Sequence, residues 1–454
     1  MTTQPADRVR PNGHTQPLNQ ATLAGRTALT GEGTLAGRRY DLDWVRICAF
    51  GLLIFYHVGM YYVTWGWHVK SPYASHTIEP LMLLTNPWRL SLLFLISGVA
   101  TAHLLERRRG TNRSDNGDRK GFLAQRSTRL AVPLLFGMAV IVPPQSYLEV
   151  VEKLSYAGSY FDFLKLYFTA YHGFCRENCL ILPTYNHLWF VAYLWIYTVV
   201  LYLAIRALPK ATQWLRMTIE KAFSGAGVLI WPILFLAIAR LTLVSVFPAN
   251  NAIVGDWYNH ATYGMTFLLG FVLAGTHQPW VAMERLRWTS FVLAILGWAL
   301  LAAYMSIYGA DGSPTPPFLL MLSRRVVFGA EQWLAIAAIL GFARRHLNHD
   351  NAARRYLTTA IFPVYILHQT IIVVMAHALQ PVNLTPAIEG PLLILVTATA
   401  CLAGYEVIRR VAVLRPLFGL PPAQSGVAAA GSTTAGLVSQ SVQQDAGRPV
   451  ESPQ

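Results

Sequence analysis

The chain has 454 residues, of which 54% are hydrophobic and only 13% charged, about half the roughly 25% charged residues of a soluble domain. A mean hydropathy of +0.38 and apolar blocks about 20 residues long exclude a soluble globular fold, because such a block crosses about 30 Å of hydrocarbon as a helix. The net charge of +14 raises nucleic acid as a partner, but its distribution along the chain reports membrane topology instead.

In chain order, residues 1–40 are rich in Thr, Gly, Pro and Arg without a sustained apolar period, and read as a disordered cytoplasmic tail. The first apolar block starts only at Trp44. It is too long, and lacks an A-x-A-like site, for a cleaved signal peptide. About ten spans follow, near 44–66, 86–106, 128–147, 187–208, 227–247, 256–277, 288–309, 322–343, 356–379 and 391–409. The fold class is therefore all-α, a polytopic transmembrane helical bundle, with one membrane domain over 41–410. Residues 411–454, mostly Ala, Gly, Ser, Gln and Val from 421 onward, read as a second disordered cytoplasmic tail.

Two loops stand out. ERRRGTNRSDNGDRKGFLAQRSTR is a basic connection between the second and third spans, and includes Arg107, Arg108, Arg109, Arg113, Arg119 and Lys120. The stretch from Leu148 to Asn186 mixes aromatics with scattered charges. It reads as one or two amphipathic interfacial helices, either an aromatic belt or a cover over an outward-facing acceptor site. With the N-terminus inside and the spans alternating, the outer loops hold only Lys70, Lys153, Lys165 and Arg176, whereas the inner segments hold most of the 36 Lys and Arg residues. This bias supports an even number of spans, with both termini cytoplasmic. Cys48 and Cys401 lie in spans as apolar packing residues. Cys175 and Cys179 fall in the outer loop, where oxidation is open to them, and their pairing is left undecided.

The first span, DLDWVRICAFGLLIFYHVGMYYV, carries an arginine and a histidine. Arg46 and His57 are eleven residues apart, three turns plus about 20°, and so share one helix face about 16 Å apart along the axis. Asp43, Arg46, Phe50, Leu53 and His57 form a continuous stripe on that face. Arg46 near the inner end admits snorkelling as well as function. His57 is too deep to snorkel and titrates near neutrality, which leaves a structural hydrogen bond or a catalytic role.

RSTRLAVPLLFG opens the third span with Arg126 and Arg129 at i and i+3. Paired guanidiniums at a helix mouth suit phosphates, and equally suit anchoring at the inner surface. In the outer half, Arg89, Arg240, Arg324, Arg325, Asp256, Asn259 and His260 fit an acceptor funnel. Glu331, seven residues after Arg324, invites an ion pair on one face. His368 lies mid-span in the ninth helix and reads as a core hydrogen-bonder or a site residue. No metal constellation is present.

These residues resemble the membrane-bound acyltransferase-3 family. Its signature is a basic residue, ten residues and a His in the first span, with an Asp three residues before the basic one; here these are Arg46, His57 and Asp43. R-x-x-R at the third span matches Arg126 and Arg129. Looser matches are FLISG (Phe94 to Gly98), HLWFVAYL (His187 to Leu194) and PVYILHQ (Pro363 to Gln369). The resemblance spans about Asp41 to Arg410. It implies transfer of an acyl group, acetyl or succinyl, from cytoplasmic acyl-CoA to a carbohydrate hydroxyl across the inner membrane, with no tightly bound cofactor. In that scheme Arg126, Arg129 and Arg46 hold the CoA phosphates, His57 is general base or acyl carrier, and Asp43 orients Arg46 or caps its helix. The competing class is a transporter or flippase for an acyl donor or lipid-linked sugar, since buried Arg, His and Glu also mark substrate pathways.

Overall fold

The computed structural model describes residues 39–111, 117–175, 179–310 and 312–422. Most of both predicted tails lies outside these residues, as does Arg113; the side chains of Arg107, Arg108, Arg109, Arg119 and Lys120 also lie outside the description. Among the described residues there is no strand.

Each predicted span coincides with a helix. The chain runs through α1 (Tyr40–Tyr62), short α2 (Glu79–Met82), α3 (Arg89–Thr111), α4 (Gly117–Phe136), α5 (Pro143–Leu154), α6 (Tyr160–Phe168) and α7 (Trp189–Ala207). It continues through α8 (Pro209–Ala222), α9 (Gly227–Thr242), α10 (Trp257–Leu273), α11 (Gln278–Arg285), α12 (Arg287–Tyr308), α13 (Phe318–His346), α14 (Ala352–Leu379), α15 (Pro386–Arg410) and α16 (Leu414–Leu417). Seven helices are long and apolar enough to cross a membrane singly, and two bent pairs raise the number to nine. The protein is a multi-pass membrane protein. α10 has 17 residues, about 26 Å at 1.5 Å per residue, which approaches the hydrocarbon thickness.

The two bends have local causes. α4 ends in a π-helical turn, Gly137–Ile141, and the chain turns by 40° into α5. Pro143 and Pro144 follow at once; neither can donate to the preceding turn, so the ladder breaks there. α8 meets α9 at 112° across Ser224–Ala226. α8 exposes Trp214 and Met217 and buries no residue, as befits an amphipathic helix lying along a membrane surface. Its sequence mixes polar and apolar residues and falls between two predicted spans.

Small residues set the closest helix approach. Gly98, the last residue of FLISG, lies against the backbone of Phe267 and Phe271, and Gly270 lies against the backbone of Leu95. A Cβ at either position meets main chain rather than a movable side chain, so α3 and α10 touch only because both residues are Gly.

The outer loop predicted as interfacial helices forms α5 and α6. They enclose a core of Val150, Phe163, Tyr167, Phe174 and Leu182, while Phe161 and Phe168 stay exposed. Cys175 and Cys179 are joined as a disulfide. At the C-terminal end, residues 411–422, read from sequence as tail, pack onto the bundle: Phe418 and Leu420 are buried, and Gly419 O accepts from Arg129 Nε at 3.1 Å.

The predicted pairing of Arg324 with Glu331 does not form. Seven residues put both on one face but about 10 Å apart along the axis, and helical side chains lean the same way, so the gap persists. Arg324 instead stacks on Tyr304 at 5.0 Å, and Glu331 packs beside Gly297 of α12.

The first outer loop is pinned by Glu79. Its Oε1 accepts from Thr64 N at 3.0 Å and from Thr64 Oγ1, and its Oε2 meets His76 Nδ1 at 3.0 Å. Burial opposes ionisation of Glu79, but these hydrogen bonds outweigh it and hold its carboxyl below the usual carboxylate range. A depressed carboxyl stabilises the fold above its unfolded value and loses that contribution as pH falls through the folded one. Loop order, read by Trp65 and Trp67 fluorescence, is therefore expected to hold above about pH 4.5 and to fall away below it. Glu79→Gln removes that acid transition.

Candidate active site

Because α1 is one unbroken helix, Arg46 and His57 do share a face. Phe50, between them, sits edge-on to Phe190 at 6.2 Å and to Tyr365 at 5.3 Å, and Leu53 is buried. The stripe thus faces α7 and α14, in the bundle interior. Its two polar ends lie in different surroundings.

At the outer end, His57 Nδ1 lies 2.9 Å from His368 Nε2. The protonation of this pair follows from its surroundings. His368 Nδ1 lies 2.6 Å from Tyr365 O, and a carbonyl only accepts, so Nδ1 carries the hydrogen. In neutral His368 the Nε2 is then a lone pair, and it accepts from His57 Nδ1–H. His57 Nε2 is left unprotonated, as a base or nucleophile. His57 is half-buried, whereas His368 is 1% exposed: one imidazole keeps some exposure and the other supports it from behind.

The support continues outward. His187, 6% exposed, stands edge-on to His368 at 5.3 Å. Its Nε2 donates to Ile366 O at 3.0 Å, and its Nδ1 accepts from Gln145 Nε2 at 3.3 Å. Tyr365 OH donates to His187 O. Gln369 Nε2 donates to Gln145 Oε1 at 3.1 Å and to His68 Nε2 at 2.9 Å, and His68 Nδ1–H donates to Glu149 at 2.6 Å. α1, α5, the turn before α7 and α14 are thereby locked together around the His57–His368 pair. Sequence reasoning singled out His368 as a core hydrogen-bonder or a site residue, and flagged His187 and Gln369 only within loosely matching motifs. Gln145, His68 and Glu149 carried no signal, since their roles arise from contacts across 42 to 301 residues of sequence.

At the inner end the structure gathers the three predicted arginines. Arg46 and Arg126 each lie within electrostatic range of Arg129, and Arg126 within range of Arg46. Arg126 Nε is buried without a hydrogen-bond partner. Such a trio repels itself unless an anion lies between its members. Asp43 is shared between two arginines. It lies in the field of Arg46, but its ion pair is with Arg354 of α14, which also binds Asp350 at 2.8 Å. Among the described residues no group of His, Cys, Asp or Glu is arranged to hold a metal ion.

A bundle with a cation trio near one end of α1 and a supported imidazole about three helical turns away fits the comparison with known proteins. The acyltransferase domain profile of the acyltransferase-3 family matches residues 39–406. The chain belongs to the acyltransferase-3 family. Among its relatives, a glucans biosynthesis protein C of Salmonella schwarzengrund is 23% identical over 403 residues, covering 85% of this chain and 96% of the relative. A glucans biosynthesis protein C of Escherichia coli K12 is 23% identical over 403 residues, covering 85% and 95%. That of Escherichia coli O1:K1 is 22% identical over 399 residues, with the same coverage. No solved structure matches the chain. The matched region runs from the residue before α1 into the last turns of α15, so the family's domain contains both ends of the stripe.

Proposed function

We propose that this membrane acyltransferase moves an acyl group, acetyl or succinyl, from cytoplasmic acyl-CoA to a hydroxyl of a periplasmic or surface glucan. The observation that carries the reading is the His57–His368 pair, whose hydrogen bonds leave one imidazole nitrogen of His57 free to take a proton. The relatives' name supports a glucan as acceptor. The positive-inside pattern supports an inner-membrane protein with both termini cytoplasmic, which puts the arginine trio on the CoA side.

In this reading Arg46, Arg126 and Arg129 hold the CoA phosphates at the inner mouth. The thioester then reaches His57, about 16 Å along α1 from Arg46, a span that an extended pantetheine arm covers. His57 Nε2 takes the proton of the acceptor hydroxyl as the oxygen attacks the thioester carbonyl carbon. The new C–O bond forms, the C–S bond breaks, and the CoA thiolate leaves with the proton from His57. In between, the imidazolium is steadied by its Nδ1–H bond to His368 Nε2, while His368 Nδ1–H stays on Tyr365 O. The same free nitrogen serves equally as an acyl carrier, and a burst of CoA release ahead of glucan labelling separates that route from direct transfer.

The test uses membranes containing the protein, labelled acetyl-CoA or succinyl-CoA, and a periplasmic glucan extract. Label on glucan, in proportion to CoA released, is the expected result. Arg126→Ala is expected to raise KM for the donor about 10-fold or more with kcat little changed, as loss of a phosphate contact should. An unchanged KM removes Arg126 from donor binding. Movement of label without acylation promotes the transporter reading.

A further inference from the structure

A second set of arginines lies on the other side of His57. Arg89, the first residue of α3, is 7% exposed. Its guanidinium stacks on the Tyr56 ring at 3.2 Å, and that ring lies 5.9 Å from the His57 ring. Its one hydrogen bond is from Nη1 to Asn86 at 3.1 Å, and its Nε is buried without a partner. Arg240 of α9 stacks on Phe328 at 3.4 Å and donates to the Tyr258 hydroxyl. Arg324 stacks on Tyr304. In both, Nε is again buried and unbonded.

These three arginines form a row set by one helical stripe. Arg324, Phe328 and Gln332 follow one another at i, i+4 and i+8 on α13. Arg240 lies on Phe328, and Gln332 donates to Ser91 at 2.6 Å, two residues into α3 from Arg89. Tyr263, stacked on Phe94 of α3 at 5.0 Å, is within electrostatic range of both Arg89 and Arg240; Arg240 is within range of Arg324, and His57 of Arg89.

Among the described residues none of the three forms an ion pair. The hydrogen-bonded carboxylate oxygens of this region have other partners: Asp256 Oδ2 accepts from Tyr193, Asn259 and the Asn251 amide, each at 2.8 Å, while its Oδ1 is buried and unbonded, and Glu79 is held by Thr64 and His76. Glu331 packs beside Gly297. Three guanidiniums inside a membrane protein that no described carboxylate pairs with are costly unless an anion joins them during the working cycle. The arginine trio proposed to hold phosphates is a separate cluster, at the other end of the α1 stripe.

We propose that Arg89, Arg240 and Arg324 form a carboxylate-recognition subsite beside His57, so that one of the two substrates carries a free carboxylate that docks there during transfer. This rests on the acyltransferase reading above. The forked guanidinium donors match a carboxylate, and either a dicarboxylic acyl group on the donor or an acidic substituent on the acceptor supplies one.

Transfer is measured with four pairings: acetyl-CoA or succinyl-CoA, each with neutral or carboxylated glucan, for wild type, Arg240→Gln and Arg240→Lys. The expected result is a roughly 100-fold loss of kcat/KM in Arg240→Gln for pairings that contain a carboxylate, with Arg240→Lys partly restored. Uncharged pairings are expected to fall far less. A loss that follows succinyl-CoA assigns the carboxylate to the donor, and one that follows the glucan assigns it to the acceptor. Equal losses for charged and uncharged pairings, or none, overturn the subsite. A separate arm records thermal protection of the purified protein by monomethyl succinate. Protection in wild type that is absent in Arg89→Gln supports the subsite even if no pairing turns over, a result that would count against the acyltransferase reading alone. Equal protection of both proteins, or of neither, counts against the subsite.

Discussion

His57→Ala is expected to lower kcat for acyl transfer by about 10³-fold or more, with KM for the donor nearly unchanged. The separation follows from geometry: His57 and the arginine trio occupy opposite ends of one helix stripe, so removing the base leaves the phosphate contacts in place. His368→Ala is expected to cost less, about 10- to 100-fold, because it removes the acceptor that fixes the His57 tautomer and steadies the imidazolium, but not the base itself. His368→Gln should recover part of that loss, since an amide oxygen also accepts from His57 Nδ1–H. Acyl transfer by purified, monodisperse variants with labelled donor decides it. If His57→Ala kept a tenth of wild-type turnover, the imidazole would be structural and the mechanism would have to start elsewhere.

Arg354→Ala is expected to be the most destabilising single change near the site, lowering the thermal midpoint in detergent by about 5 °C. The Arg354 side chain is 1% exposed and binds Asp43 of α1 and Asp350 at once, with Tyr40 under its guanidinium at 4.6 Å. Removing it leaves two carboxylates facing each other at the junction of α1 and α14. Because both remain partly exposed, the loss stays below that of a fully buried pair. The same arrangement bears on Asp43. Were its task to orient Arg46, Asp43→Asn would raise the donor KM and leave stability alone. Its ion pair with Arg354 predicts the reverse: a lower melting temperature with a near-normal KM. A melt and a donor titration on one preparation separate the two.

Much of the molecule was legible along the chain. The ten helices follow from apolar run length, and the shared face of Arg46 and His57 follows from the 100° step of a helix, because both depend only on local spacing. The Arg324–Glu331 pairing failed for a reason that spacing also contains, since face alone was weighed and axial distance was not. The tertiary structure decided the rest. It alone brought His368 to His57 across 311 residues, and gave Asp43 to Arg354 across another 311. It also divided the arginines into one cluster at the inner mouth and another beside His57. Sequence determined which residues are costly in a membrane, since that cost belongs to each side chain. Which partners repay it depends on contacts between helices far apart in the chain, and these exist only once the bundle has closed.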